Sequence, residues 1–138
     1  MSERASGSTK PIAVRAIVAG HGDFASGLVS AVQQITGRGA VFRAVSARDL
    51  SGADLEVTIR GALEETGSLV VFTDLQAGSC SMAARRISRA MPGVVLVAGA
   101  NLPMLLDFAF ADNMPAVEAA RHAMERGRAA ITAIGDQK

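Results

Sequence analysis

The chain has 138 residues, 49% hydrophobic and 20% charged, which suits one domain with a buried core. A net charge of +1, with no Trp or Tyr, excludes bulk electrostatic attraction to nucleic acid or an anionic membrane and leaves few aromatic platforms for single strands. The single cysteine, Cys80, permits neither an internal disulfide nor a cysteine-built zinc site, and no apolar run nears the ~20 residues that span a bilayer.

Met1 to Lys10 is polar, rich in Ser and Gly, and lacks the apolar centre of a signal peptide. It is expected to be a disordered extension, with residues 11–138 forming one domain in the cytoplasm and no direct membrane insertion. Pro11 punctuates the entry to Ile12–Ala19, a short apolar run that predicts a strand covered on both faces. Gly20-His21-Gly22 follows as a tight turn. Phe24, Leu28, Ala31, Val32 and Ile35 then recur at helical spacing, with Asp23 placed to cap the start and Gly37 the end.

Gly39 opens a second predicted strand, Ala40–Val45, and a polar loop from Ser46 to Gly52 leads to a helix from about Ala53 to Thr66, ended by Gly67. Its apolar stripe is Leu55, Ile59, Ala62 and Leu63. Ser68–Asp74 predicts the third strand, with Asp74 at its carboxyl end. Ser79 is placed to cap a third helix from about Cys80 to Met91, which Pro92-Gly93 stops. Val94–Ala98 predicts the fourth strand, and Leu102 starts a helix that tolerates Pro103 in its first turn. From Pro115 to about Ile134, Val117, Ala120, Met124, Ile131 and Ile134 step by threes and fours, with Gly127 in the empty slot.

Four strands alternating with helices predict a three-layer α/β fold: a mainly parallel four-stranded sheet, doubly wound and flavodoxin-like, with helices on both faces. Ligands of such sheets sit beyond the carboxyl ends of the strands, at the switch point. His21, Asp74, Ser79 and Asn101 all lie at strand ends, so topology can bring them together.

His21 is the one good nucleophile expected at that edge, and an imidazole is largely neutral at pH 7. Glycines beside it let the backbone approach an anion, and helix starts after Gly22 and after Gly78-Ser79 aim N–H groups at it. Asp74 is suited to accept a hydrogen bond from the ring's other nitrogen, fixing the tautomer and stabilising the cation formed on attack. That combination suits a phosphohistidine relay, working in line with no metal, cofactor or bound nucleotide.

Three segments together carry a family resemblance. Ala19-Gly20-His21-Gly22-Asp23-Phe24-Ala25-Ser26-Gly27-Leu28 resembles the active-histidine segment of mannose-family IIA components of the bacterial sugar phosphotransferase system. Phe72-Thr73-Asp74-Leu75-Gln76-Ala77-Gly78-Ser79 resembles its second motif, and Gly99-Ala100-Asn101-Leu102-Pro103-Met104-Leu105-Leu106 its third. The resemblance implies that His21 takes phosphate from the phosphocarrier HPr at Nε2 and gives it to a IIB component, and through it serves membrane IIC and IID components. It implies that Asp74 orients His21, that Gly22, Gly78 and Ser79 bind the phosphoryl oxygens, that Thr73 and Asn101 support them, and that the protein is a homodimer.

Two departures stand out. Ala77-Gly78-Ser79-Cys80 replaces the family's usual Gly-Gly-Ser/Thr-Pro, and Cys80 is expected to be buried and inert. Glu118 to Ile134 reads as helix where some relatives exchange a C-terminal strand. His122, Arg85, Arg86 and Arg89 are expected on solvated helix faces, and Met104 and Met114 in the core. Two other functions fit parts of the chain. One is a regulatory phosphocarrier without a permease. The other is a dinucleotide-binding module built on Gly20-His21-Gly22-Asp23-Phe24-Ala25, although the acid expected at the end of its second strand is missing.

Overall fold

The structure, a computed structural model, describes residues 12–135. The expectations for Met1 to Lys10 and for Pro11 lie outside the described residues. Four strands alternate with helices: β1 (Ala16–Gly20), α1 (Phe24–Thr36), β2 (Phe42–Ser46), α2 (Gly52–Thr66), β3 (Val70–Thr73), α3 (Ser79–Ala90) and β4 (Val95–Ala98), then α4 (Leu102–Ala109) and α5 (Ala116–Ala129). All strand pairs are parallel, in the order β2-β1-β3-β4. This is the doubly wound, three-layer α/β architecture that the alternating pattern predicts.

Strand alternation divides the core. Ala16, Val18, Val70 and Phe72 face one layer, built with α1, α4 and α5. Ile17, Ala19 and Val71 face the other, built with α2 and α3. Phe42, Phe72 and Phe108 form an aromatic cluster in the first layer, with ring centroids 5.2–6.3 Å apart. Tilted and edge-on contacts of this kind suit the ring quadrupoles. The direction in which successive strands are added to the sheet reverses between β1 and β3. β1 hands on to β2 on one side, and the chain then crosses back to place β3 on the other. The switch point therefore lies at the carboxyl ends of β1 and β3.

Several boundaries differ from the sequence expectation. The first strand starts at Ala16 instead of Ile12, and a 3₁₀ turn at Gly39–Val41 takes the start of the predicted second strand. Gly78, not Ser79, occupies the cap position of α3, and Ser79 is its first helical residue. Asp23 does hold the cap position of α1, but its side chain makes no capping bond. Its carboxylate goes to Arg48 Nη2 instead, at 3.1 Å.

The last helix ends at Ala129, and Ile131 and Ile134 are 73% and 96% exposed rather than in a seam. The buried stripe of α5 is Ala119, Ala120, Ala123 and Gly127. Small residues win those positions because α4 lies close: a Cβ on Gly127 would sit 2.8 Å from both Met104 Cβ and Asn101 Oδ1. Met104 is buried and Met114 packs against the core, as expected. Among the described residues, no helix is long and apolar enough to cross a membrane.

Candidate functional site

The β1–β3 register pairs Ala19 with Thr73, so both chains leave the sheet side by side. His21 and Asp74 follow within two residues of that pair, although they are 53 residues apart in sequence. Gly22 has φ +52, a left-handed conformation that glycine adopts without strain and that turns the chain sharply into α1. The Ser46 hydroxyl at the end of β2 donates to Gly22 O at 3.0 Å, and Ala47 N–H donates to Gly20 O at 2.9 Å. The turn is thereby tied on both sides.

The Asp74 carboxylate organises the site. Its Oδ2 lies 2.7 Å from His21 Nδ1 and accepts the His21 backbone N–H at 2.9 Å. Its Oδ1 accepts the Leu75 N–H at 2.9 Å. Burial raises the carboxyl pKa, but the hydrogen bonds from the His21 ring and backbone and from Leu75 more than offset this, holding it below the usual carboxylate value. An ionised Asp74 fixes the proton on Nδ1 and leaves the lone pair on Nε2.

That lone pair faces outward. The imidazole is 54% exposed while its carboxylate is only 10% exposed. Ser79 Oγ stands 3.5 Å from Nε2. Ser79 opens α3, whose first-turn N–H groups lack intrahelical acceptors and carry the positive end of the helix dipole. Gly78 packs against the ring: a Cβ there would lie 3.2 Å from His21 Cε1. An outward ring nitrogen, a carboxylate on the ring's other nitrogen and the start of α3 thus lie together, an arrangement with the chemistry to receive an anion.

His21, Asp74, Gly78 and Ser79 come together, with Gly22 in the adjoining turn. Thr73 lies behind them, at the end of β3. Its buried hydroxyl contacts Ser81 Oγ at 2.6 Å, and Ser81 in turn donates to Leu75 O. Asn101 does not join them: its Oδ1 accepts the Met104 N–H and its Nδ2 donates to Gly127 O, both at 3.0 Å. It caps α4 and ties α4 to α5. Cys80 is fully buried, and burial, with the Asp74 charge beside it, pushes the thiol up to about 11. The burial is as expected, and a protonated thiol in such surroundings is a poor nucleophile.

Sequence reasoning misses two neighbours of the site. Ser81 is a fully buried polar residue, pinning the loop after Asp74. Arg48 sets a guanidinium beside the Gly22 turn, 3.9 Å from where a Gly22 Cβ would be, and Ser46 accepts its backbone N–H at 3.1 Å. Neither carries a local signal, because each acts on a segment 20 or more residues away or around a loop. His122 lies on the solvated side of α5, as expected, and also pairs with Asp107 at 2.7 Å. Arg85 and Arg86 are also engaged, with Gln76 O and Glu56.

Comparison with known proteins matches residues 15–125 to the model of a family described as the PTS system fructose IIA component. Among curated proteins no match is found. Solved structures align over nearly their whole length. The mannose/sorbose-specific IIA subunit from Enterococcus faecalis shares 23% identity at TM-score 0.76, covering 91% of this chain and 98% of that one. A phosphoenolpyruvate-dependent sugar phosphotransferase permease from Klebsiella pneumoniae shares 25% at 0.74, over 91% and 94%. The IIA protein associated with the fucose utilisation operon of Streptococcus pneumoniae shares 21% at 0.69, over 85% and 93%. With a family match that spans the sheet, the His21 turn and four of the five helices entire, the chain belongs to the mannose-type IIA components of the sugar phosphotransferase system.

Proposed function

We propose that this IIA component carries phosphate on His21, taking it from phospho-HPr and passing it to a IIB component during sugar uptake. The observation that carries the reading is the His21 Nδ1–Asp74 Oδ2 contact of 2.7 Å with Nε2 left open beside the start of α3. Nε2 attacks phosphorus in line. The bond from phosphorus to the HPr histidine nitrogen breaks, and the electron pair stays with that nitrogen. The Nδ1 proton remains shared with Asp74, which stabilises the ring's new positive charge. Ser79 Oγ, the Gly78–Ser79 backbone and the Gly22 turn bind the phosphoryl oxygens, and the reverse step loads IIB.

The protein works in the cytoplasm and reaches the IIC and IID membrane components only through IIB. It acts as a homodimer, and exposed Ile131 and Ile134 are apolar surface of the kind a second copy covers. Incubation with phosphoenolpyruvate, enzyme I and HPr tests the reading. One acid-labile phosphoryl adduct is expected, transferable to the cognate IIB and absent from His21→Ala. Retention of the adduct in that variant would overturn the assignment.

A further inference from the structure

Ser81 is the third residue of α3 and is fully buried. Helical hydroxyls elsewhere in the chain settle on their own helix: Thr36, Thr58 and Thr66 each donate to the carbonyl four residues back. The Ser81 hydroxyl leaves its helix instead. It donates to Leu75 O, six residues back in the loop that follows Asp74. Its one proton is thereby committed, so Thr73 Oγ1 is the donor in the 2.6 Å contact with Ser81 Oγ.

Leu75 is gripped on both sides. Its carbonyl accepts the Ser81 hydroxyl, and its N–H donates to Asp74 Oδ1 at 2.9 Å. Burial does not hold this stretch, because Leu75, Gln76 and Ala77 are all exposed. Arg85 Nη2, 3.2 Å from Gln76 O, ties the loop at the surface, where water competes for the bond. The Ser81 bond is the tie anchored in the core. Asp74 Oδ2 in turn meets His21 Nδ1. A line of hydrogen bonds therefore runs from the end of β3 through Thr73, Ser81, Leu75 and Asp74 to the imidazole.

We propose that Ser81 is a positioning residue for phosphotransfer: its buried hydroxyl sets the Leu75 backbone that aims the Asp74 carboxylate at His21. The proposal rests on His21 being the phosphoryl carrier. Ser81 acts through Asp74 rather than on the phosphoryl group. It fixes where the carboxylate stands, and with it the line along which Nε2 meets phosphorus. A displacement of about 1 Å at a reacting atom is enough to slow a transfer step severely.

Two measurements on Ser81→Ala test this. The Leu75 N–H is one of the bonds that hold the Asp74 carboxyl below its usual range, and a carboxylate that loses such a donor takes up a proton more readily. A carbon-13 titration should therefore place the Asp74 carboxyl at higher pH in Ser81→Ala than in the wild type. The maximal rate of HPr-driven labelling should fall roughly tenfold at an unchanged half-saturating concentration of phospho-HPr. Thr73→Val should move both readouts the same way by less, and Thr73→Ser, which keeps the hydroxyl, by less again. If Ser81→Ala does not fold, the two Thr73 variants decide the matter on the same readouts. An unmoved Asp74 titration, an undiminished maximal rate, or a loss confined to the half-saturating concentration would each overturn the proposal. The titration needs no HPr, so a wild type that takes no phosphate on His21 would sink the carrier reading while the hold of Ser81 on Asp74 is still scored.

Discussion

Asp74 holds His21 twice, through the ring and through the backbone N–H, so orienting the imidazole and shaping its turn are one task. Its lowered pKa ties that task to stability. A carboxyl with a depressed folded pKa stabilises the native state fully above its unfolded value, about 3.9, and that contribution fades as pH falls through the folded value. The melting-temperature gap between the wild type and Asp74→Asn should therefore be widest near neutral pH and close as pH drops below about 4. A gap that is constant down to that range would mean that Asp74 does not titrate as a depressed carboxyl. The Gly78 side of the ring is equally tight. Gly78→Ala would push a methyl group to 3.2 Å from His21 Cε1, displacing the ring from its donors. HPr-dependent labelling should slow roughly ten- to hundredfold with the fold intact, since small misplacements of a reacting atom have effects of that size.

At the level of elements, the close approach of α4 and α5 depends on one missing side chain. In a free helix Gly→Ala stabilises by about 1 kcal/mol. At Gly127 the new Cβ would meet Met104 Cβ and Asn101 Oδ1 at 2.8 Å, and Met104 Cβ is fixed to its own backbone. Overpacking of this kind costs about 1–3 kcal/mol, so Gly127→Ala should lower the thermal midpoint rather than raise it, read by circular dichroism. This helix also marks where sequence reading stops. The steps Val117, Ala120 and Met124 point to a helix with a buried face, but Ile131 and Ile134 continue the pattern past the real end at Ala129. Periodicity cannot tell a seam that continues from apolar residues that follow a finished helix. The four strands were legible because each is a short apolar run bounded by Gly, Pro or polar residues. The 3₁₀ turn at Gly39–Val41 was not, since its residues are as apolar as the strand they precede.

In the whole molecule, strand order does what sequence distance hides. Because β1 and β3 are neighbours, a histidine in the first turn and an aspartate beyond the third strand are hydrogen-bonded through both ring and backbone. That convergence was legible from the alternation of strands and helices alone, and so was the switch point. Contacts with no local signature were not: the Ser46–Gly22 tether, the Thr73–Ser81 contact and the His122–Asp107 pair each depend on how separate elements pack. The most direct test of the central claim is to identify which ring nitrogen carries phosphate after loading by phospho-HPr, using phosphorus–nitrogen couplings in the ¹⁵N-labelled protein. With Nδ1 held by Asp74, phosphate should appear on Nε2 of His21. Phosphate on Nδ1, or on any other residue, would contradict it.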